Sequence, residues 1–238
     1  MAKTSTEILS DRDKDILLMM AEFGGKTFTP VLERTYWEGN KMPAQQARDR
    51  VQKLIKKYKL LRLVQTGLMK PRNAIAMTEN GKKYAEELGI EVGNLFLSPV
   101  TIWHGIYEQI TWYWLRRAGR DVSRTIVKKW AGSHKHTPDL LYFHNGDGSK
   151  PVYVEVETSA KDKNRYISIF QKMNADKIYR ALYVFENEKR MNVIGSKLPI
   201  SDKIMMIDID NLISNIVKDG KIGAISQDEF IKKIGVKK

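Results

Sequence analysis

The sequence predicts an α+β protein in two domains, a basic helical domain with a short β-hairpin followed by a mixed α/β sheet domain. Three observations carry this. Apolar residues recur at helical spacing from Ile8 to Leu88, interrupted only by two short extended runs. After Thr137, runs rich in Val, Ile, Leu and Tyr alternate with helical patterns, the signature of an α/β sheet. Charge is also uneven: from Lys41 to Arg72 ten Lys and Arg face one acid, Asp49, so +9 of the chain's net +13 lies there. The domains are expected over 1–95 and 96–238.

In the first domain, Ser10 is placed to cap a helix over Asp11 to Phe23, with Asp13 three residues on. Gly24-Gly25 ends it. A short second helix spans Thr29 to Trp37, with Pro30 in its first turn. A third runs from Pro43 to Tyr58, where Ala47, Val51, Leu54, Ile55 and Tyr58 form one apolar stripe. Leu60–Val64 and Ala74–Met77 read as strands joined by a loop with Gly67 and Pro71. A fourth helix, Lys82–Leu88, follows the capping segment Thr78-Glu-Asn-Gly81. Three helices, a two-stranded wing and a closing helix make a winged helix-turn-helix, whose recognition helix enters the major groove.

The partner implied is double-stranded DNA. Gln45, Gln46, Arg48 and Arg50 lie early in the third helix and are the candidate base readers, since Gln pairs with adenine and Arg with guanine. Lys53, Lys56, Lys57, Lys70 and Arg72 suit phosphate, which positions without specifying. The competing reading is a solvated helix face, but such a face normally mixes both signs. Winged domains also mediate protein contacts, so the module alone does not establish sequence-specific binding.

The absence of cysteine excludes disulfides and thiolate zinc sites. No apolar run reaches the length of a membrane span, and the N-terminal residues lack a secretory core, so a cytoplasmic, DNA-associated protein with no membrane partner is expected. Gly24-Gly-Lys-Thr27 resembles the end of a phosphate-binding loop, but Met20 stands where glycine is required.

In the second domain, Ile102–Arg117 is a helix carrying Trp103, Tyr107, Trp112, Tyr113 and Trp114. Its rings are expected to pack the two domains together; stacking on bases would require exposed rings. Strands follow over Val122–Lys128, Thr137–Phe143 and Pro151–Glu157, then a helix over Lys161–Ala175 and strands over Ala181–Glu186 and Ile204–Ile209. On the third of these strands Val152, Val154 and Val156 alternate with Tyr153, Glu155 and Glu157. One face is apolar and the other presents two carboxylates about 7 Å apart by strand rise. A hairpin would bring Asp139 near Glu155, and Glu108 lies on the helix expected to cross the sheet. Convergent carboxylates are what a hard divalent cation needs, Mg²⁺ or Mn²⁺. Such an ion activates water and neutralises a phosphoryl oxygen. A solvated strand edge bearing two Glu is the competing reading. His134-Lys-His136 is expected to be a polar loop rather than a zinc pair, with His136 within reach of DNA phosphate.

A helix with Glu108, a strand opening on Pro138-Asp139 and a strand with Glu155-Val-Glu157 resemble the PD-(D/E)xK nuclease fold over residues 102–186. The resemblance implies Asp139, Glu155 and Glu108 as metal ligands and a water-managing residue at the third motif position. That position is usually Lys and is Glu157 here; Lys161 could supply the cation from a displaced position. The arrangement is also similar to the plasmid replication-relaxation family, through Met77-Thr-Glu-Asn-Gly81, the helix with His104, Pro138-Asp139 and an acidic strand before a basic helix. This implies DNA transactions of a plasmid, phage or other mobile element. The expectation is a metal-dependent DNA endonuclease or nickase. The alternative is a non-catalytic replication or transcription regulator whose second domain serves to form a homodimer.

Overall fold

In the computed structural model the described residues are 9–37, 44–66, 71–89, 92, 102–123, 127, 130 and 132–234. Helix α1 (Asp11–Glu22) starts at a capping box. The Ser10 hydroxyl accepts from the Asp13 N–H, and the Asp13 carboxylate accepts from the Ser10 N–H at 2.8 Å. Gly24 and Gly25, both with φ near +70°, turn the chain into β1 (Lys26–Phe28). Helix α2 (Thr29–Leu32) continues into a π-helical turn over Glu33–Trp37. Then come α3 (Ala44–Lys56), β2 (Leu61–Gln65), β3 (Asn73–Met77) and α4 (Glu79–Glu87).

The three strands form an antiparallel sheet in the order β1-β3-β2. The sequence predicts only two of them. Lys-Thr-Phe is too short to show an alternating pattern, and its partner Ala74–Ala76 lies far along the chain. The Thr78-Glu-Asn-Gly81 segment has two local jobs. Thr78 caps α4 through the Gly81 N–H, and a side chain at Gly81 would place its Cβ 2.3 Å from the Leu60 carbonyl oxygen.

Helix α5 (Ile102–Arg117) is buried on nearly every side, including Trp112, Tyr113, Trp114 and Leu115. It contacts the first sheet and its helices through polar side chains as well as rings. Gln109 accepts from the Thr27 hydroxyl at 2.7 Å, and the Trp114 indole donates to the Arg34 carbonyl at 3.0 Å. Trp112 meets Phe23 edge to face. One continuous apolar core therefore runs from α1 through α5 to one face of the second sheet.

That sheet has the order β4-β5-β6-β7-β8, built from β4 (Leu140–Phe143), β5 (Pro151–Glu157), β6 (Arg180–Phe185), β7 (Ile204–Asp208) and β8 (Ile225–Ser226). The pairs β4/β5 and β7/β8 are antiparallel, while β5/β6 and β6/β7 are parallel. Helices α6 (Lys163–Ala175) and α7 (Glu188–Gly195) make the parallel crossovers; α8 (Ile209–Asp219) and α9 (Gln227–Ile234) complete the layers. Val152, Val154, Leu182 and Ile207 face α5 and α8. Tyr153, Tyr183 and Met206 face α6, α7 and α9. The molecule is thus mixed α+β, with a small antiparallel sheet and a larger mixed one.

One expectation and one competing reading are overturned here. Asp121–Ser123 form no strand and Val127 lies in helical backbone, so the strand expected over 122–128 is not formed there. All seven residues of β5 are buried, so Glu155 and Glu157 do not lie on a solvated edge. A strand joined to a parallel neighbour is covered on both faces because its crossover helix folds back over the sheet.

Candidate metal centre

Strand β5 and the start of α5 meet at one end of the large sheet. His104 and Glu108 are one helical turn apart, so both project from one face of α5. Asp139 sits immediately before β4, beside the buried Pro138. The register Leu140↔Val154 sets it level with Glu155, and its Oδ2 accepts from the Val156 N–H at 2.8 Å. His104 Nε2 is 3.1 Å from Asp139 Oδ1 and 3.2 Å from Glu108 Oε1. The ligand atoms of His104, Glu108 and Asp139 all lie within 4.8 Å of one another, a group that could hold a metal ion.

The neighbouring carboxylates belong to internal pairs. Glu155 is 6% exposed and bonds His136 Nε2 at 2.8 Å. Its carboxyl is pushed up to about 7 by burial and by the charge of Asp139, against the pull of His136. His136 is itself held, because the Asp176 carboxylate accepts from the backbone N–H groups of Lys135 and His136 at 2.7 and 3.0 Å. Glu157, 2% exposed, pairs with the Lys161 ammonium and accepts from the Tyr166 hydroxyl. Burial raises the Glu157 carboxyl, opposed by Lys161. Burial alone would lower the His104 imidazole, but its bonds to Asp139 and Glu108 outweigh that and hold it at about 10. Tyr183, paired across to Glu155 on β6, has a buried hydroxyl with no partner among the described residues.

The structure therefore brings together Glu108, Asp139, Glu155, Glu157 and Lys161, with a changed division of labour. The metal-competent group is Glu108 and Asp139 with His104, whereas the expected set had Glu155 in place of His104. Lys161 reaches Glu157 from the loop after β5. Sequence reasoning puts Glu108 and Asp139 in one ligand set and leaves out His104, one turn before Glu108 on the same helix. His136, expected near DNA phosphate, is turned in to Glu155. Two carboxylates and one imidazole form a donor set that a divalent ion could occupy.

On α3, Ala47, Val51 and Leu54 are buried, leaving Gln45, Gln46, Arg48, Lys53, Lys56 and Lys57 exposed with Arg72 nearby in sequence on the β2–β3 connection. Arg50 is placed differently. Its guanidinium bonds both carboxylate oxygens of the fully buried Asp13, at 3.0 and 2.9 Å from Nε. Gln45 donates to Asp49 at 2.9 Å. Lys70 lies outside the described residues. Of the aromatic helix, Trp112, Tyr113 and Trp114 are core, and Trp103, beside His104, is 46% exposed. Among the described residues no helix is long and apolar enough to cross a membrane.

Comparison with known protein families, with curated proteins and with solved structures found no match.

Proposed function

We propose that this chain binds double-stranded DNA through α3 and the β2–β3 hairpin and hydrolyses a phosphodiester at a divalent-metal centre formed by His104, Glu108 and Asp139. In this reading the N-terminal elements are a winged helix-turn-helix and the large sheet is nuclease-like, acting as an endonuclease or nickase on plasmid, phage or other mobile DNA. The observation that carries the catalytic half is the convergence of His104, Glu108 and Asp139 within 4.8 Å, next to the buried Glu155 and Glu157. The element order supports it too: helix α5, then the β4–β5 hairpin carrying Asp139 and Glu155, then a helical crossover to a parallel strand. The binding half is supported by the exposed cations of α3 and by the charge crowded into Lys41–Arg72.

A bound divalent ion would supply an activated water and charge neutralisation at phosphorus. The chain's own residues do the positioning. The Val156 N–H fixes the Asp139 carboxylate. Lys161 neutralises Glu157, and His136 orients Glu155. One observation favours a second reading, a non-catalytic DNA-binding regulator: every acid here already has a basic side chain beside it, His104 for Glu108 and Asp139, His136 for Glu155 and Lys161 for Glu157.

Supercoiled plasmid incubated with Mn²⁺ or Mg²⁺ separates the two. The proposed reading expects nicking or linearisation that EDTA abolishes and Asp139→Asn reduces by about 100-fold or more. Equal cutting by Asp139→Asn, or no cutting together with no saturable Mn²⁺ binding by calorimetry, overturns the catalytic half and leaves the regulator.

A further inference from the structure

At the opposite end of the large sheet, on the face covered by α5 and α8, a cavity of about 290 Å³ opens between the start of β5 and β6 and the loop after α8. Three of its lining side chains are cationic, Arg120, Arg180 and Lys221, and none is acidic. None of the three makes an ion pair among the described residues. Arg120 is the clearest case: its Nε–H is buried and has no hydrogen-bond partner there. A buried guanidinium donor left unmatched is costly unless something outside the chain accepts from it. Its guanidinium lies 5.9 Å from the centre of the Tyr142 ring, which forms part of the wall. Leu182 and Met205 make that wall apolar.

We infer that this cavity binds a phosphomonoester attached to an uncharged, ring-bearing body, such as a nucleoside monophosphate or the 5′-phosphorylated end of a strand. Three cations without an acid match a dianion, and two of them are arginines, whose forked donors fit phosphate oxygens in pairs. The apolar wall and the volume, near the lower end of about 300–1,000 Å³ for ligand pockets, suit one nucleoside-sized body. The cavity is separate from the candidate metal centre. Val152, in its lining, and Glu157 stand at opposite ends of the buried strand β5. Five residues of strand separate them by about 17 Å.

Calorimetry on the full chain tests this with four probes: deoxyadenosine monophosphate, deoxyadenosine, and one oligonucleotide carrying either a 5′-phosphate or a 5′-hydroxyl. The monophosphate is expected to bind saturably and deoxyadenosine not. Removing one charge-assisted arginine contact should weaken binding by about tenfold or more, read in Arg120→Gln and Arg180→Ala. Arg180 is exposed, so Arg180→Ala keeps the test independent of folding. If the 5′-phosphate strengthens oligonucleotide binding and Arg180→Ala erases only that gain, the ligand is a strand end; binding of the monophosphate alone makes it a free nucleotide. No saturable binding of either phosphate-bearing probe at millimolar concentration, or unchanged affinity in Arg180→Ala, overturns the inference. Neither result bears on metal binding at Asp139.

Discussion

Two charged regions of this molecule are handled in opposite ways. The α3 face holds its cations in solvent: Arg48, Lys53, Lys56 and Lys57 are exposed along a helix whose only acid is Asp49. The end of β5 keeps Glu155 and Glu157 buried, and each acid there sits beside a basic side chain, His104, His136 or Lys161. The first arrangement has little value for stability and much for an external polyanion. The second tolerates charge in a covered sheet because His104, His136 and Lys161 are folded in with it. An excess of like charge in solvent indicates a partner. Matched charge in the interior indicates either a metal centre or a structural network.

The two regions differ most at Lys161. Lys161→Met leaves Glu157 buried and unpaired, and breaking a buried pair from one side is expected to remove about 3–5 kcal/mol of stability. Glu157→Gln added to it should return much of that loss, since the carboxylate is then gone. Thermal melts of the single and double variants check both. An undiminished melting temperature in Lys161→Met would mean that the pair does not hold this end of β5 together.

Within α3 the same contrast can be drawn between two arginines two residues apart. Arg50 is matched to the fully buried Asp13, so Arg50→Ala is expected to lose about 3 kcal/mol and to loosen the capping box at Ser10. Arg48 is exposed, and Arg48→Ala should change stability by no more than about 0.5 kcal/mol. In DNA binding the order reverses: on the proposed reading Arg48→Ala weakens discrimination at one base pair by about 1–3 kcal/mol. Denaturant titrations and binding to a series of mutated sites measure the two effects. A pair of arginines with equal stability losses would remove the distinction.

That distinction also marks how far the sequence could be read. Periodicity placed α5 over Ile102–Arg117 and β5 over Pro151–Glu157, and the Ser10/Asp13 spacing gave the first cap, because each of these is local. Arg48 and Arg50 look alike in sequence because the bond of Arg50 to Asp13 spans 37 residues. Alternation puts Glu155 and Glu157 on one face of their strand but cannot show that α6 crosses back over that face and buries it. His104 is missing from the expected ligand set because its contact with Asp139 depends on the packing of α5 against the sheet. What escaped the sequence was in each case a tertiary pairing.

The smallest expected effect tests whether the exposed region is a phosphate surface at all. Lys56 ends α3 and Lys57 follows it; both are exposed, beside a helix whose apolar stripe is already buried. Replacing one of them should leave the fold intact and weaken all DNA sequences to the same degree, because a phosphate contact carries no base information. It should also flatten the dependence of log K on log salt by about 0.9 per phosphate contact removed. Fluorescence anisotropy at several salt concentrations with Lys56→Ala and Lys57→Ala gives that slope. A merely solvated helix face predicts no change in slope, since no counterion is released there. A sequence-dependent loss would instead move base reading toward the end of α3 and away from Arg48.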